Sequence, residues 1–184
     1  FGGDHLQNAD NAFNDSGDWR FDRNLYNSPD GSRNAQVHHV IPKALLNQTG
    51  QDGVGTFLTR LGNLTSGSDN EFTFKGNGVG NLIVLPSTSA SDSALNAARS
   101  SDKFAVAHTG SHQPYTDLVS NQISAIRDTF NSDVAGLEPG SAEYTAAAQR
   151  AGNKVHNLTN SLRDGLANND LSKIEFVMRH NDTI

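Results

Sequence analysis

Val37-His38-His39-Val40-Ile41-Pro42 is the stretch on which the reading of this chain turns. Two adjacent histidines stand among β-branched residues and are closed by a proline. β-Branched side chains suit strands, and the position before a proline is pushed out of the α region, so the stretch is predicted to be extended. Neighbouring strand residues point to opposite faces, so His38 and His39 are not expected to do the same job. A bend at the strand end would let both reach one cleft, one holding a metal and the other activating water. A histidine pair alone reads more readily as one exposed residue and one hydrogen-bonded core residue. A second cluster, His108-Thr109-Gly110-Ser111-His112-Gln113-Pro114-Tyr115, tips the balance, because four of the seven histidines then sit in two tight groups.

Working outward, Pro42-Lys43-Ala44-Leu45-Leu46 reads as the first turn of a short helix, and Gly53 to Arg60 as another. Residues 62–70 read as a polar loop. Glu71 to Lys75 alternates well enough for a strand, with Gly76-Asn77-Gly78 as a turn. Leu82-Ile83-Val84-Leu85, between Asn81 and Pro86, reads as a buried strand. Ser91 or Asp92 is placed as the cap of a helix running to about Val106. Long helices are predicted from Pro114, with Tyr115, Leu118, Val119, Ile123, Ile126 and Phe130 on one stripe, and from Ser141, with Tyr144, Ala148, Ala151, Val155, Leu158, Leu162 and Leu166 on another. Residues 1–36 are sparse in apolar groups and read as a loop-rich arm with short helical or strand pieces, pinned by aromatics such as Trp19 and Phe21. The stretch from Leu171 to His180 fits neither period.

At 184 residues the chain is long enough for a sizeable core and is expected to be one domain, 1–184, with the arm over 1–36, a core over 37–130 and a helical extension over 131–184. The balance is acidic, 20 Asp and Glu against 14 Lys and Arg, so general affinity for nucleic acid through a basic surface is not expected. A polyanionic substrate would have to be held by a metal and a few local cations. No cysteine is present, so neither a disulfide nor a thiolate metal site can form. No apolar run is long enough to span a membrane and no signal peptide opens the sequence. The start at Phe1 reads as a piece of something longer.

His108 and His112 are spaced i and i+4, which on a helix places two ligands on one face. Gly110 and Ser111 lie between them and Pro114 marks the helix start, so His108 is placed in the lead-in, where the pair can still converge on one ion. Three imidazoles, His38, His108 and His112, suit zinc or another borderline divalent metal, whereas magnesium prefers more oxygen. A fourth position would stay open for water or a phosphate oxygen, as catalytic sites require.

The His-His-Val-Ile-Pro strand, the Asn-Leu-Ile-Val-Leu-Pro strand and the His-Thr-Gly-Ser-His-Gln-Pro-Tyr helix start resemble, in order and type, the His-Me finger (HNH, ββα-metal) nucleases. Within them they resemble the AHH-type nuclease domains of bacterial polymorphic toxins. The resemblance covers roughly residues 37–127, and Val37 stands where that family usually has alanine. It implies an α+β, mainly helical fold, a ββα-metal core with added helices. It further implies His39 as general base, His38 as a metal ligand, His112 and His108 completing the shell, and Asn81 orienting the His39 ring or ordering the loop beside it. The implied activity is hydrolysis of DNA phosphodiesters with little sequence specificity, using magnesium, manganese or zinc. The implied setting is the toxin domain of a secreted effector, delivered into a target cell's cytoplasm and countered by a cognate immunity protein. Two alternatives stay open: a non-catalytic, metal-stabilised protein-binding module, and the same chemistry on RNA. For the immunity partner, either an acidic plug enters a basic cleft built from residues such as Arg20, Arg60, Arg99 and Arg127, or the partner covers the His38–His112 cleft sterically. The second is favoured, because no run of Lys or Arg concentrates positive charge along the sequence.

Overall fold

Extended backbone from Ala35 to His39 forms β1, and the apolar run from Leu82 to Pro86 forms β2. The structure, a computed structural model, describes residues 5–27, 34–87 and 113–168. β1 and β2 pair antiparallel, with Val37 opposite Val84, His38 opposite Ile83 and His39 opposite Leu82. All five β2 residues are buried, as a run without polar alternation requires. Helices hold most of the remaining described chain, so the fold is mainly helical with one small sheet among the described residues. No helix among the described residues is long and apolar enough to cross a membrane.

The described residues divide into two compact units. One contains residues 5–40, 77–87 and 160–168; the other contains 41–76 and 113–159. The segment 37–130 thus contributes to both.

In the first unit, α1 (His5–Ser16) lies in the stretch expected to be loop-rich. Short helical or strand pieces are expected there, but the position and twelve-residue extent of this helix are not, because its buried face consists of two alanines, Ala9 and Ala12, rather than a broad apolar stripe. Small side chains let it pack closely on the sheet. Ala9 meets Tyr26 and Val84, while Ala12 meets Phe21 and Leu82. Gly17, at φ +67°, ends the helix by donating its N–H to the Phe13 carbonyl (2.7 Å). A single 3-10 turn, Trp19–Phe21, follows, and it is Phe21 rather than Trp19 that is buried.

In the second unit, α2 (Lys43–Leu46) leads into α3 (Val54–Thr65). α3 runs farther than the expected Arg60, because Leu61 and Thr65 continue its buried face. α4 (Gln113–Asp133) buries Val119, Ile123, Ile126 and Phe130 as its stripe predicts, together with Gln122. α5 (Ala142–Asn168) buries Tyr144, Ala148, Ala151 and Val155 within this unit, and Leu162 and Leu166 within the first. Phe130 packs edge-on against Tyr144 at 5.9 Å and lies 6.0 Å from Phe57.

The expected strand over 71–75 does not form. Its alternation serves a different purpose: Phe72 turns inward, its ring 4.9 Å from that of His156. The Phe72 N–H donates to the Thr65 hydroxyl (2.8 Å) instead of to a neighbouring strand. His156, expected beside the apolar stripe, is half-buried there, and burial holds its pKa below the ordinary histidine value.

Two predictions follow from this packing. A Cβ at Gly55 would lie 2.1 Å from the Leu46 carbonyl oxygen, whereas one at Gly50 would meet nothing within 4 Å. Gly55→Ala should therefore cost about 1–3 kcal/mol, lowering Tm by about 2–4 °C per kcal/mol, while Gly50→Ala leaves Tm nearly unchanged. Thermal melts of the two variants check this, and equal melts would contradict the close approach. For His156, the unfolded chain takes up a proton near pH 6.5 and the folded chain only below that. Stability is thus fully present above about pH 6.5 and falls as the pH drops toward the folded value. Wild type should lose more Tm than His156→Gln between pH 7 and pH 5, modestly because the ring is half-exposed.

Candidate active site

The site grows from the end of β1. Cross-strand partners share a face, so His39 shares one with Leu82, Val84 and Val37, and His38 lies on the other with Ile83. The two histidines are thereby separated by the pleat, and the chain bends directly after them at Val40 and Ile41. α1 covers the His39 face, and its His5 ring stands 5.7 Å from the His39 ring, tilted by 41°.

His39 is held from the loop before β2. Its Nε2 lies 2.8 Å from Asn77 Oδ1. The amide oxygen can only accept, so the ring donates through Nε2–H, and in its neutral form the proton-accepting lone pair is on Nδ1. Asn77 is itself anchored, because Asn8 of α1 donates its side-chain N–H to the Asn77 carbonyl (2.7 Å).

Asn81 closes a 3-10 turn, Val79–Asn81, and is fully buried. Its carbonyl accepts the N–H of Val40 (2.9 Å), extending the pairing one step beyond His39–Leu82. This turn is gripped from α5 by Arg163. The guanidinium donates to the carbonyls of Leu82 (3.1 Å), Val79 (3.3 Å) and Gly80, and to Asn160 Oδ1 (3.1 Å), and it stands over the Phe21 ring. Burial, and secondarily the charge of Arg20, pull the Arg163 pKa below that of a free guanidinium, yet arginine stays charged at any physiological pH. Arg20 belongs to a more solvated cluster, pairing with Asp18 and with Asp164, each at 2.7 Å. Burial works to raise the Asp18 pKa, but the hydrogen bonds and charge of Arg20 outweigh it and hold the carboxyl below its usual value.

Of the residues singled out from sequence, His38, His39 and Asn81 are brought together at the adjoining ends of β1 and β2. His108 and His112, and the helix expected over 91–106, lie outside the described residues. Among the described residues no three His, Cys, Asp or Glu side chains gather as a metal cluster. Of the three imidazoles expected to hold a metal, only that of His38 lies among the described residues, and an imidazole nitrogen is a donor suited to borderline divalent ions. Sequence reasoning missed His5, Asn77 and Arg163. Asn77, flanked by two glycines, read simply as a turn. Arg163 carried a usable signal, since with Thr159, Leu162 and Leu166 it falls on the buried stripe of α5, where a cation needs a reason to be.

Comparison with known proteins adds one finding. A family model described as a nuclease family of the HNH/ENDO VII superfamily with conserved AHH matches residues 20–162, well over half of the chain. Val37-His38-His39 falls within the match, with valine where the description has alanine. No curated protein and no solved structure gives a significant match.

Proposed function

We propose, for a chain that belongs to the AHH nuclease family of the HNH/ENDO VII superfamily and is therefore a nuclease, a metal-dependent endonuclease that hydrolyses DNA phosphodiesters with little sequence specificity. The observation that carries this reading is the setting of His39, an imidazole at a strand end, oriented through Nε2 by Asn77 and separated across the pleat from His38. In the reading, His39 takes a proton from the attacking water at Nδ1, a task suited to a group that titrates near neutrality. His38, His108 and His112 hold the divalent ion, magnesium, manganese or zinc. Bound there, the ion supplies positive charge against the charge that builds on the phosphorane and the leaving oxygen. Asn81 orders the strand junction beside His39 through its carbonyl bond to Val40.

The biological setting belongs to the same proposal: the toxin domain of a secreted effector acting in a target cell's cytoplasm, restrained by a cognate immunity protein. Arg20 is paired with Asp18 and Asp164. Arg60 donates to Tyr144 and Asn131, and Arg127 to the Asp52 carbonyl and to Asp128. Arg99 lies outside the described residues. Three of the four arginines considered for a basic cleft are thus engaged within the chain. That favours a partner that covers the site sterically over an acidic plug.

Supercoiled plasmid should be cleaved with one or more of magnesium, manganese and zinc, and left intact with chelator. RNA incubated in parallel tests the choice of polymer. His39→Ala should abolish cleavage while retaining metal after gel filtration. His38→Ala and His112→Ala should each weaken metal binding by more than about tenfold, at least the loss typical of an outer-shell change. Equal metal loss in all three variants would mean the roles are assigned wrongly, and a cleavage-competent His39→Ala would remove the base. For the immunity pair, the association rate should be nearly flat against ionic strength. A steep fall with added salt would favour the acidic plug.

A further inference from the structure

We propose that Asn77 is the positioning residue of the nuclease site, fixing the tautomer and ring direction of His39 on behalf of α1. The inference deepens the reading of His39 as base and rests on it. Its first support is the bond itself: Asn77 Oδ1 sits 2.8 Å from His39 Nε2, and an amide oxygen has only acceptor capacity. The neutral ring must then carry its hydrogen on Nε2, which makes Nδ1 the nitrogen that accepts a proton. An imidazole without such a partner divides between two tautomers and rotates about χ2, and in either case the basic lone pair is misdirected part of the time.

The second support is that Asn77 is held from both sides. Upstream in sequence, Asn8 of α1 donates to its carbonyl at 2.7 Å. Downstream, the Asn81 N–H donates to the Gly78 carbonyl at 2.9 Å, and the turn that this bond closes is gripped by Arg163. An orienting group is useful only if its own position is determined, and here α1, the loop and the C-terminal helix determine it together. α1 is in turn fixed to the sheet through Ala9 and Ala12, and its His5 ring walls the His39 ring at 5.7 Å.

The third support is where these residues fall in the chain. α1 ends before residue 20, where the match to the nuclease family begins. The Asn8–Asn77–His39 relay therefore couples a segment outside that match to the proposed base inside it. The helix acts as part of the site and not as an appended arm.

The test compares five variants with wild type on plasmid at saturating metal, beside metal content, thermal melts and ¹⁵N-detected histidine NMR. Asn77→Leu, close in shape but without the acceptor, should lower kcat by about 100-fold, the loss expected from a small misplacement, with KM and metal content little changed. Asn77→Asp, which keeps an acceptor oxygen, should recover most of that loss. Asn8→Ala should give a smaller fall in the same direction. In the NMR spectrum, wild-type His39 should be the Nε2–H tautomer, and Asn77→Leu should shift it to a mixture. In a His39→Ala background, Asn77→Leu should cause no further loss. Should Asn77→Leu fail to fold, Asn8→Ala and the wild-type tautomer carry the decision. A wild-type His39 in the Nδ1–H form, or an Asn77→Leu enzyme with full kcat, would overturn the positioning role. An active His39→Ala enzyme would overturn the base assignment instead, so the two failures are distinguishable.

Discussion

Arg163 donates to three backbone carbonyls at the entrance to β2, and the rest of the site depends on that contact. The carbonyls of Val79 and Gly80 belong to an exposed tight turn, whereas that of Leu82 opens a buried strand where water is a poor alternative partner. Leaving that buried acceptor unpaired costs about 1–3 kcal/mol. One guanidinium satisfies all three carbonyls at once, because its donors are arranged in a rigid fork. The charge this brings indoors is not cancelled by a close carboxylate. It is spread over carbonyl dipoles, the face of Phe21 and the more distant Asp18 and Asp164. That is a costly way to build a junction, offset by four hydrogen bonds from the one guanidinium.

Consequences propagate along the chain from this point. With the turn fixed, Asn81 presents its carbonyl to Val40, and Leu82 enters the ladder opposite His39. A slip of one residue in that register would exchange the faces of the two histidines, because the side-chain period of a strand is two. The buried run of β2 penalises other placements, since no residue from Leu82 to Pro86 tolerates exposure well. The division of labour proposed for His38 and His39 is therefore set less by the histidines than by the grip on the strand that faces them.

Much of this was legible in the sequence. The apolar run before Pro86, the histidine pair among β-branched residues and the three-and-four spacing of α4 and α5 each announce their element, because burial imposes a period on the residue pattern. Three features were not read, and each for its own reason. α1 buries two alanines and little else, so its period is written in residue size more than in hydropathy. Glu71 to Lys75 has a strand's alternation, but alternation records only that Phe72 is inside, and a helix can supply the inside as readily as a sheet. Asn77 contributes one acceptor at one point of space, a fact that no local pattern encodes. His108 and His112, the second-cluster histidines proposed as metal ligands, lie outside the described residues.

The acidic charge of the chain bears on how such a site could hold a polyanion. Among the described residues each arginine has an internal partner: Arg20, Arg23, Arg127 and Arg150 pair with aspartates, Arg60 meets Tyr144 and Asn131, and Arg163 meets backbone. The exposed pairs are weak, on the order of 0–1 kcal/mol each, and a phosphate could compete for them. Arg60 and Arg163 are different, because displacing either would strip a buried phenol or several carbonyls of a donor. Those two cations are thus structural and unavailable to a substrate. In the proposed mechanism the charge at the reacting phosphate falls chiefly to the divalent ion, and a net charge of −6 does not argue against nuclease chemistry. It argues that nonspecific attraction to nucleic acid is weak, so that selection of the scissile bond rests on what the ion and His39 can reach together.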